Sequence, residues 1–84
     1  MKPTKIRLFI KTQCPWCLEA MEWLRQHHLA HETLDVLQDA NALREMVALS
    51  RQTLAPVIEV DGQVLADFDT GQLEVFWKKL GYDF

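Results

Sequence analysis

Ile6-Arg7-Leu8-Phe9-Ile10-Lys11-Thr12-Gln13-Cys14-Pro15-Trp16-Cys17 is the stretch on which the fold turns. Its first half, from Lys5 to Ile10, reads as a strand: Ile6, Leu8, Phe9 and Ile10 are apolar, and both isoleucines are β-branched. Lys11-Thr12-Gln13 is a short polar loop. A helix is expected to begin at Cys14 or Pro15. Proline suits the first helical position, because its missing N–H would find no intrahelical partner there. Apolar residues then recur at Cys17, Ala20, Met21 and Leu24, the i, i+3, i+4, i+7 spacing of a helix with one buried face. Two cysteines separated by two residues therefore sit where a strand gives way to a helix.

Working outward, His31 to Leu37 fits a second strand, with Thr33 and Val36 β-branched. Asp39 is a suitable N-cap for a second helix, whose buried stripe is predicted to be Ala42, Leu43, Met46, Val47 and Leu49. Val57-Ile58-Glu59-Val60 and Gln63-Val64-Leu65-Ala66 flank Asp61-Gly62, a pair that suits the left-handed angles of a type I′ hairpin turn. Asp69 or Thr70 can cap a last helix whose face is Leu73, Phe76, Trp77 and Leu80, with Gly81 ending it. The predicted order is β-α-β-α-β-β-α. The first two strands, joined through a helix, are expected to be parallel with a right-handed crossover. The last two form an antiparallel hairpin. The class is α/β, a four-stranded mixed sheet flanked by three helices, with residues 1–84 forming one domain.

Composition narrows the function. The chain has 84 residues, 49% hydrophobic and 25% charged, with nine basic against twelve acidic residues and a net charge of -3. That balance gives no footprint for nucleic acid or a membrane surface. No secretory signal or membrane-spanning run is apparent, so a cytoplasmic location is expected. In a reducing compartment, a Cys-x-x-Cys pair reads as redox-active or metal-binding rather than as a structural staple.

The redox reading follows from position. Unpaired N–H groups and the macrodipole at a helix N-terminus favour negative charge, and the thiolate is the attacking species in disulfide exchange. Cys14 is the candidate nucleophile, with Lys11 able to add positive charge. Cys17, one turn further in and more buried, would attack the mixed disulfide formed at Cys14. Pro15 stiffens the turn, and Trp16 can offer an aromatic face to a docking partner. The competing reading is a metal- or iron–sulfur-cluster-binding module using the same cysteines. His27 and His31 give the string a superficial likeness to a Cys2His2 zinc site. Only nine residues separate Cys17 from His27, however, and they read as continuous helix. Trp77 is expected in the core and Trp23 half-exposed. Asp35, Asp39, Asp61 and Glu74 are read as caps, turns and solvated faces.

The strand Ile6–Ile10, the run Lys11 to Cys17 with Cys-Pro-aromatic-Cys, Pro56 before a Val-Ile strand, and the Asp-Gly hairpin followed by a last helix together resemble the glutaredoxin family of the thioredoxin-like fold. The resemblance implies a thiol–disulfide oxidoreductase with Cys14 as nucleophile, Cys17 as resolving cysteine and Pro56 as a cis-proline facing them. A cis bond there would expose the Ala55 backbone to an extended thiol substrate. It also implies a surface for substrate or glutathione formed by Lys11, Pro15, Trp16, Ala55, Pro56, Asp69 and Thr70. No tightly bound cofactor is implied. Glutathione is the expected reductant, with thioredoxin reductase the alternative, and disulfide-containing proteins are the expected partners of a monomer. Two segments depart from the family pattern. Leu54-Ala55-Pro56 stands where Thr-Val-Pro is common, and Ala66-Asp67-Phe68-Asp69-Thr70 stands where a Gly-Gly pair precedes an acidic cap. If Ala66 and Asp67 occupy the glycine positions, Asp67 brings negative charge towards an anionic ligand. The altered segment is also similar to the glutaredoxin-like redoxins that serve ribonucleotide reductase.

Overall fold

A computed structural model describes residues 2–83. Seven elements follow one another: β1 (Ile6–Ile10), α1 (Pro15–Gln26), β2 (Glu32–Asp35), α2 (Ala40–Ser50), β3 (Val57–Val60), β4 (Gln63–Ala66) and α3 (Thr70–Leu80). The strands form one sheet in the order β2-β1-β3-β4. β1 runs parallel to β2 and antiparallel to β3, and β3 pairs antiparallel with β4. The mixed sheet and element order are those expected from the sequence.

Strand periodicity sorts the core into two layers, because successive side chains point to opposite faces. Ile6 and Leu8 of β1 and Ile58 and Val60 of β3 pack with Ala20, Trp23 and Leu24 of α1 and Leu73 and Trp77 of α3. The residues of opposite parity, Phe9 and Val57, pack with Val36 and with Ala42 and Met46 of α2. Each fully buried aliphatic or aromatic side chain contributes about 1.5–3 kcal/mol.

Arg7 and Glu59, paired across β1 and β3, share the α2 side of the sheet. Arg7 Nε donates to Glu59 at 2.7 Å, its other arm reaches Glu45 on α2, and its guanidinium lies 5.3 Å from the Phe9 ring centre. With a charged pair in the middle of that face, the apolar contact available to α2 is narrow. Only Ala42 and Met46 of the predicted stripe are buried; Leu49 packs at the margin, and Leu43 and Val47 remain exposed. Trp23 also departs from expectation. It is buried, its ring edge-on to Trp77 at 5.6 Å, because the joint between α1 and α3 widens the covered face of α1 beyond the stripe.

β2 is shorter than the predicted His31–Leu37. The carbonyl of Asp35 accepts from Gln38 N–H while its side chain accepts from Leu37 N–H at 2.9 Å, so an Asx turn closes the strand. At the hairpin, Asp61 and Gly62 hold φ of 47° and 89°, as a type I′ turn requires. Asp69 caps α3 in a reciprocal box with Gln72, and Gly81 ends it at φ 79°.

Asp61 has a second task. Its carboxylate accepts the Thr4 and Lys5 N–H groups, each at 2.8 Å, and the Tyr82 hydroxyl at 3.0 Å, tying both ends of the chain to the hairpin. The two backbone donors, then Tyr82, hold this carboxyl below the usual carboxylate range. A lowered folded-state pKa contributes stability above the unfolded value, lost as pH falls through the folded one. Asp61→Asn is therefore expected to lower the urea midpoint at neutral pH, and the gap from wild type should close between about pH 5 and pH 2. A gap unchanged by acid would show that charge plays no part in the clamp.

Candidate active site

α1 begins where the sequence places it. Pro15 is its first residue, and Cys14 is its N-cap, with extended angles of φ -91° and ψ 114°. The Cys14 sulfur takes the place usually filled by a Ser or Asp oxygen: Cys17 N–H donates to Sγ at 3.2 Å, while Leu18 N–H donates to the Cys14 carbonyl at 3.0 Å. The preceding loop turns sharply. Gln13 sits at φ 64°, and Cys14 N–H donates back to the Lys11 carbonyl at 3.3 Å.

Opposite stands the Ala55–Pro56 segment, with a cis peptide bond as the family resemblance implies. The Ala55 carbonyl lies 3.9 Å from Cys14 Sγ, within reach of a weak S–H donation. Pro56 is buried, and its carbonyl accepts from Asp67 N–H at 2.8 Å, extending the β3–β4 pairing to the edge of the cleft.

The two cysteines, both free thiols, have different environments. Cys14 is partly exposed, whereas Cys17 is only 1% exposed. Burial, then the hydrogen bond and negative charge of Cys14, push the Cys17 thiol up to about 12, against a smaller opposing pull from the Lys11 backbone and ammonium. Only Cys14 therefore meets solvent, while Cys17 keeps its proton at neutral pH.

The structure brings Cys14, Cys17, Lys11, Pro15, Ala55 and Pro56 together. Trp16 stands beside them, 56% exposed, and Leu54 offers a second apolar surface, 54% exposed. Asp69 and Thr70 lie at the head of α3, where Asp69 is spent on its cap and Thr70 lines a groove of about 230 Å³ with Glu19, Glu22, Trp23 and Gln26. Neither is bonded to the cysteines.

One contact escaped the sequence reading. Thr12 Oγ1 donates to Asp35 at 2.6 Å, tying the Cys14 loop to the end of β2. That bond, then Leu37 N–H, holds the Asp35 carboxyl below its ordinary range. Parallel pairing of β1 with β2 was the available signal, because it places Asp35 opposite Ile10.

The Cys2His2 alternative has no geometry. Ten positions along one helix set Cys17 and His27 about 15 Å apart. Among the described residues, no three His, Cys, Asp or Glu side chains gather as a metal would require.

The glutaredoxin family model matches residues 6–65, from the first residue of β1 to β4. The chain belongs to the glutaredoxin family. It is 28% identical over 74 residues to an uncharacterized glutaredoxin-like 8.6 kDa protein in the rubredoxin operon of Clostridium pasteurianum, covering 88% of this chain and 99% of the relative. The crystal structure of the thioredoxin-like protein BC3987 superposes with a TM-score of 0.78 at 30% identity, over 84% of this chain and 97% of that one. A glutaredoxin from Archaeoglobus fulgidus, at 13% identity, shares the fold with a TM-score of 0.75, over 84% and 83% of the two chains. Glutaredoxin membership supports a thiol–disulfide oxidoreductase-like role. No helix among the described residues is long and apolar enough to cross a membrane.

Proposed function

We propose that this glutaredoxin reduces protein disulfides, or mixed disulfides with glutathione, by a two-cysteine cycle in a reducing, cytoplasmic compartment. The observation that carries the reading is the contrast between the sulfurs: one partly exposed at a helix N-cap, the other buried a turn behind it and held as a thiol. The Cys14 thiolate attacks one sulfur of the substrate disulfide. A Cys14–substrate bond forms, the substrate bond breaks, and the other half leaves as a thiolate that takes up a proton. Cys17 then gives up its proton and attacks the Cys14 sulfur. The second half of the substrate leaves and a Cys14–Cys17 bridge remains, so the dithiol has passed two electrons to the substrate. Both sulfurs belong to one chain, so a monomer suffices.

Lys11, Pro15 and Trp16 on one side, with Ala55 and Pro56 on the other, form the walls between which the substrate sulfur enters. The Ala55 backbone is suited to pairing with an extended substrate segment, as in strand addition. Asp69 and Thr70 would receive glutathione further along the cleft. Glutathione is the donor suggested by family resemblance. The carboxylate of Asp67 at the rim favours a second reading, in which thioredoxin reductase recharges the site.

Oxidised protein supplied with a protein disulfide and either glutathione plus its reductase or thioredoxin reductase is expected to consume NADPH with at least one system. Consumption with the first alone would identify a glutathione-linked enzyme, and with the second alone a thioredoxin-reductase-linked one. No consumption with either would sink the redox reading.

A further inference from the structure

The sheet register brings the ends of all four strands to the reactive sulfur. Ile10 at the end of β1 lies opposite Asp35 at the end of β2, Phe9 pairs with Val57 at the start of β3, and Val57 pairs with Ala66 at the end of β4. Charge collects along this edge: Lys11 after β1, Asp35 on β2, the α2 cap Asp39, Asp67 after β4, and the α3 cap Asp69. Most of these carboxylates are committed. Asp35 accepts from Thr12 and Leu37, Asp39 from Asn41 and Ala42, and Asp69 from Gln72.

Asp67 differs from them. Among the described residues, no donor reaches its carboxylate, and the residue is exposed. Its backbone is nonetheless fixed at φ 52°, a left-handed conformation that glycine would adopt more readily. Its N–H is pinned to the Pro56 carbonyl at 2.8 Å, one residue from the Ala55 carbonyl that faces Cys14 Sγ. An uncommitted carboxylate is thus carried by a backbone anchored next to the segment that faces Cys14. On the facing wall Lys11 carries the opposite charge, and Trp16 and Leu54 present exposed apolar surface, the Trp16 ring being one that a cation can also approach. All three are unchanged in an Asp67 variant, so such a variant reads the contribution of Asp67 alone.

We propose that Asp67 sets the charge class of the substrate: disulfides flanked by cationic or neutral groups are reduced in preference to those flanked by carboxylates. The inference rests on the redox reading, with Cys14 attacking first and the displaced half leaving as a thiolate. A flanking ammonium is drawn to Asp67 as that second negative charge develops, while a flanking carboxylate is repelled by both.

Three small disulfides test it: cystamine (cationic), bis(2-hydroxyethyl) disulfide (neutral) and dithiodipropionate (anionic). Each rate of oxidation of the reduced protein is divided by the rate for free dithiothreitol with the same disulfide, which removes differences in leaving-group reactivity. The expected normalised order is cationic, then neutral, then anionic, and it should compress in about 1 M salt. Asp67→Asn keeps the side-chain shape and tolerates the left-handed backbone. It should raise the anionic rate and lower the cationic rate about threefold each, the scale of one charge acting across wet protein surface, with the neutral rate unchanged. Normalised rates within twofold of one another in wild type would overturn the proposal, as would an Asp67→Asn variant that moves all three together. Failure of wild type to reduce even the neutral disulfide would instead overturn the redox reading beneath it.

Discussion

Replacing Cys14 with serine is expected to lower disulfide reduction at least about a thousandfold, since an alcohol cannot supply the attacking thiolate and the second of the two cysteines, Cys17, is buried. Cys17→Ser should fail differently. Its Cys14 still opens the substrate disulfide, so a stable protein–substrate mixed disulfide accumulates, visible by mass, while turnover through the dithiol route stops. The asymmetry follows from burial. A thiol pushed up to about 12 is ionised to only roughly one part in 10⁵ at neutral pH. Iodoacetamide at pH 7 should therefore label Cys14 and spare Cys17 in the folded, reduced protein. In the mixed disulfide of the proposed cycle, the hydrogen-bonding and electrostatic hold of Cys14 on the Cys17 proton would be lost, and Lys11 would act with less opposition. On the proposed cycle, resolution would thereby follow capture. Equal labelling of the two cysteines, or equal reductase rates for wild type and Cys14→Ser, would refute this division of labour.

How much of this was legible in the sequence depended on whether the cause was local. The start of α1 at Pro15, the Asp61-Gly62 turn and the Asp69 cap are each set by residues within one turn of each other; the first two stand where they were expected, and Asp69 is one of the two caps the sequence offered for α3. Trp23, Leu43 and Val47 were misplaced because their burial depends on what faces them. The Trp77 ring covers Trp23, while the Arg7–Glu59 pair takes up the sheet surface that would have covered more of α2. The site divides in the same way. Cys14 and Cys17 could be read from spacing within one strand–helix junction. The Thr12–Asp35 bond and the hold of Pro56 on Asp67 join residues brought together only by strand register, so composition around either partner carried no signal. The charge of Asp67 was visible in the sequence, but its position beside the cis-proline wall required the β3–β4 pairing.

The largest stability effect should come from Trp77→Ala. Trp77 is 0% exposed and is shared between α3, α1 and the sheet. Its ring meets Trp23 edge-on at 5.6 Å and Tyr82 at 5.7 Å, and its Nε1–H donates to the Asp83 carbonyl at 3.2 Å. Truncation removes the largest buried side chain and leaves a cavity that three elements must collapse to fill, at a cost of about 3–5 kcal/mol. A domain of this length has roughly 4–12 kcal/mol of stability in total, so the variant should unfold at a far lower urea midpoint or be partly unfolded without denaturant. Trp77→Phe, which keeps most of the apolar ring but not the N–H donor, should lose much less. A loss below about 1 kcal/mol for Trp77→Ala would contradict the shared-core reading. The effect should also reach the chemistry, because the α1–α3 joint that Trp77 fills keeps α1 seated and Cys17 covered. Whatever fraction of Trp77→Ala molecules opens will expose Cys17, whose thiol then falls towards the ordinary value and becomes open to alkylation at pH 7. Cys17 labelling should rise with urea in step with the loss of helical signal, while Cys14, already exposed, is labelled from the start.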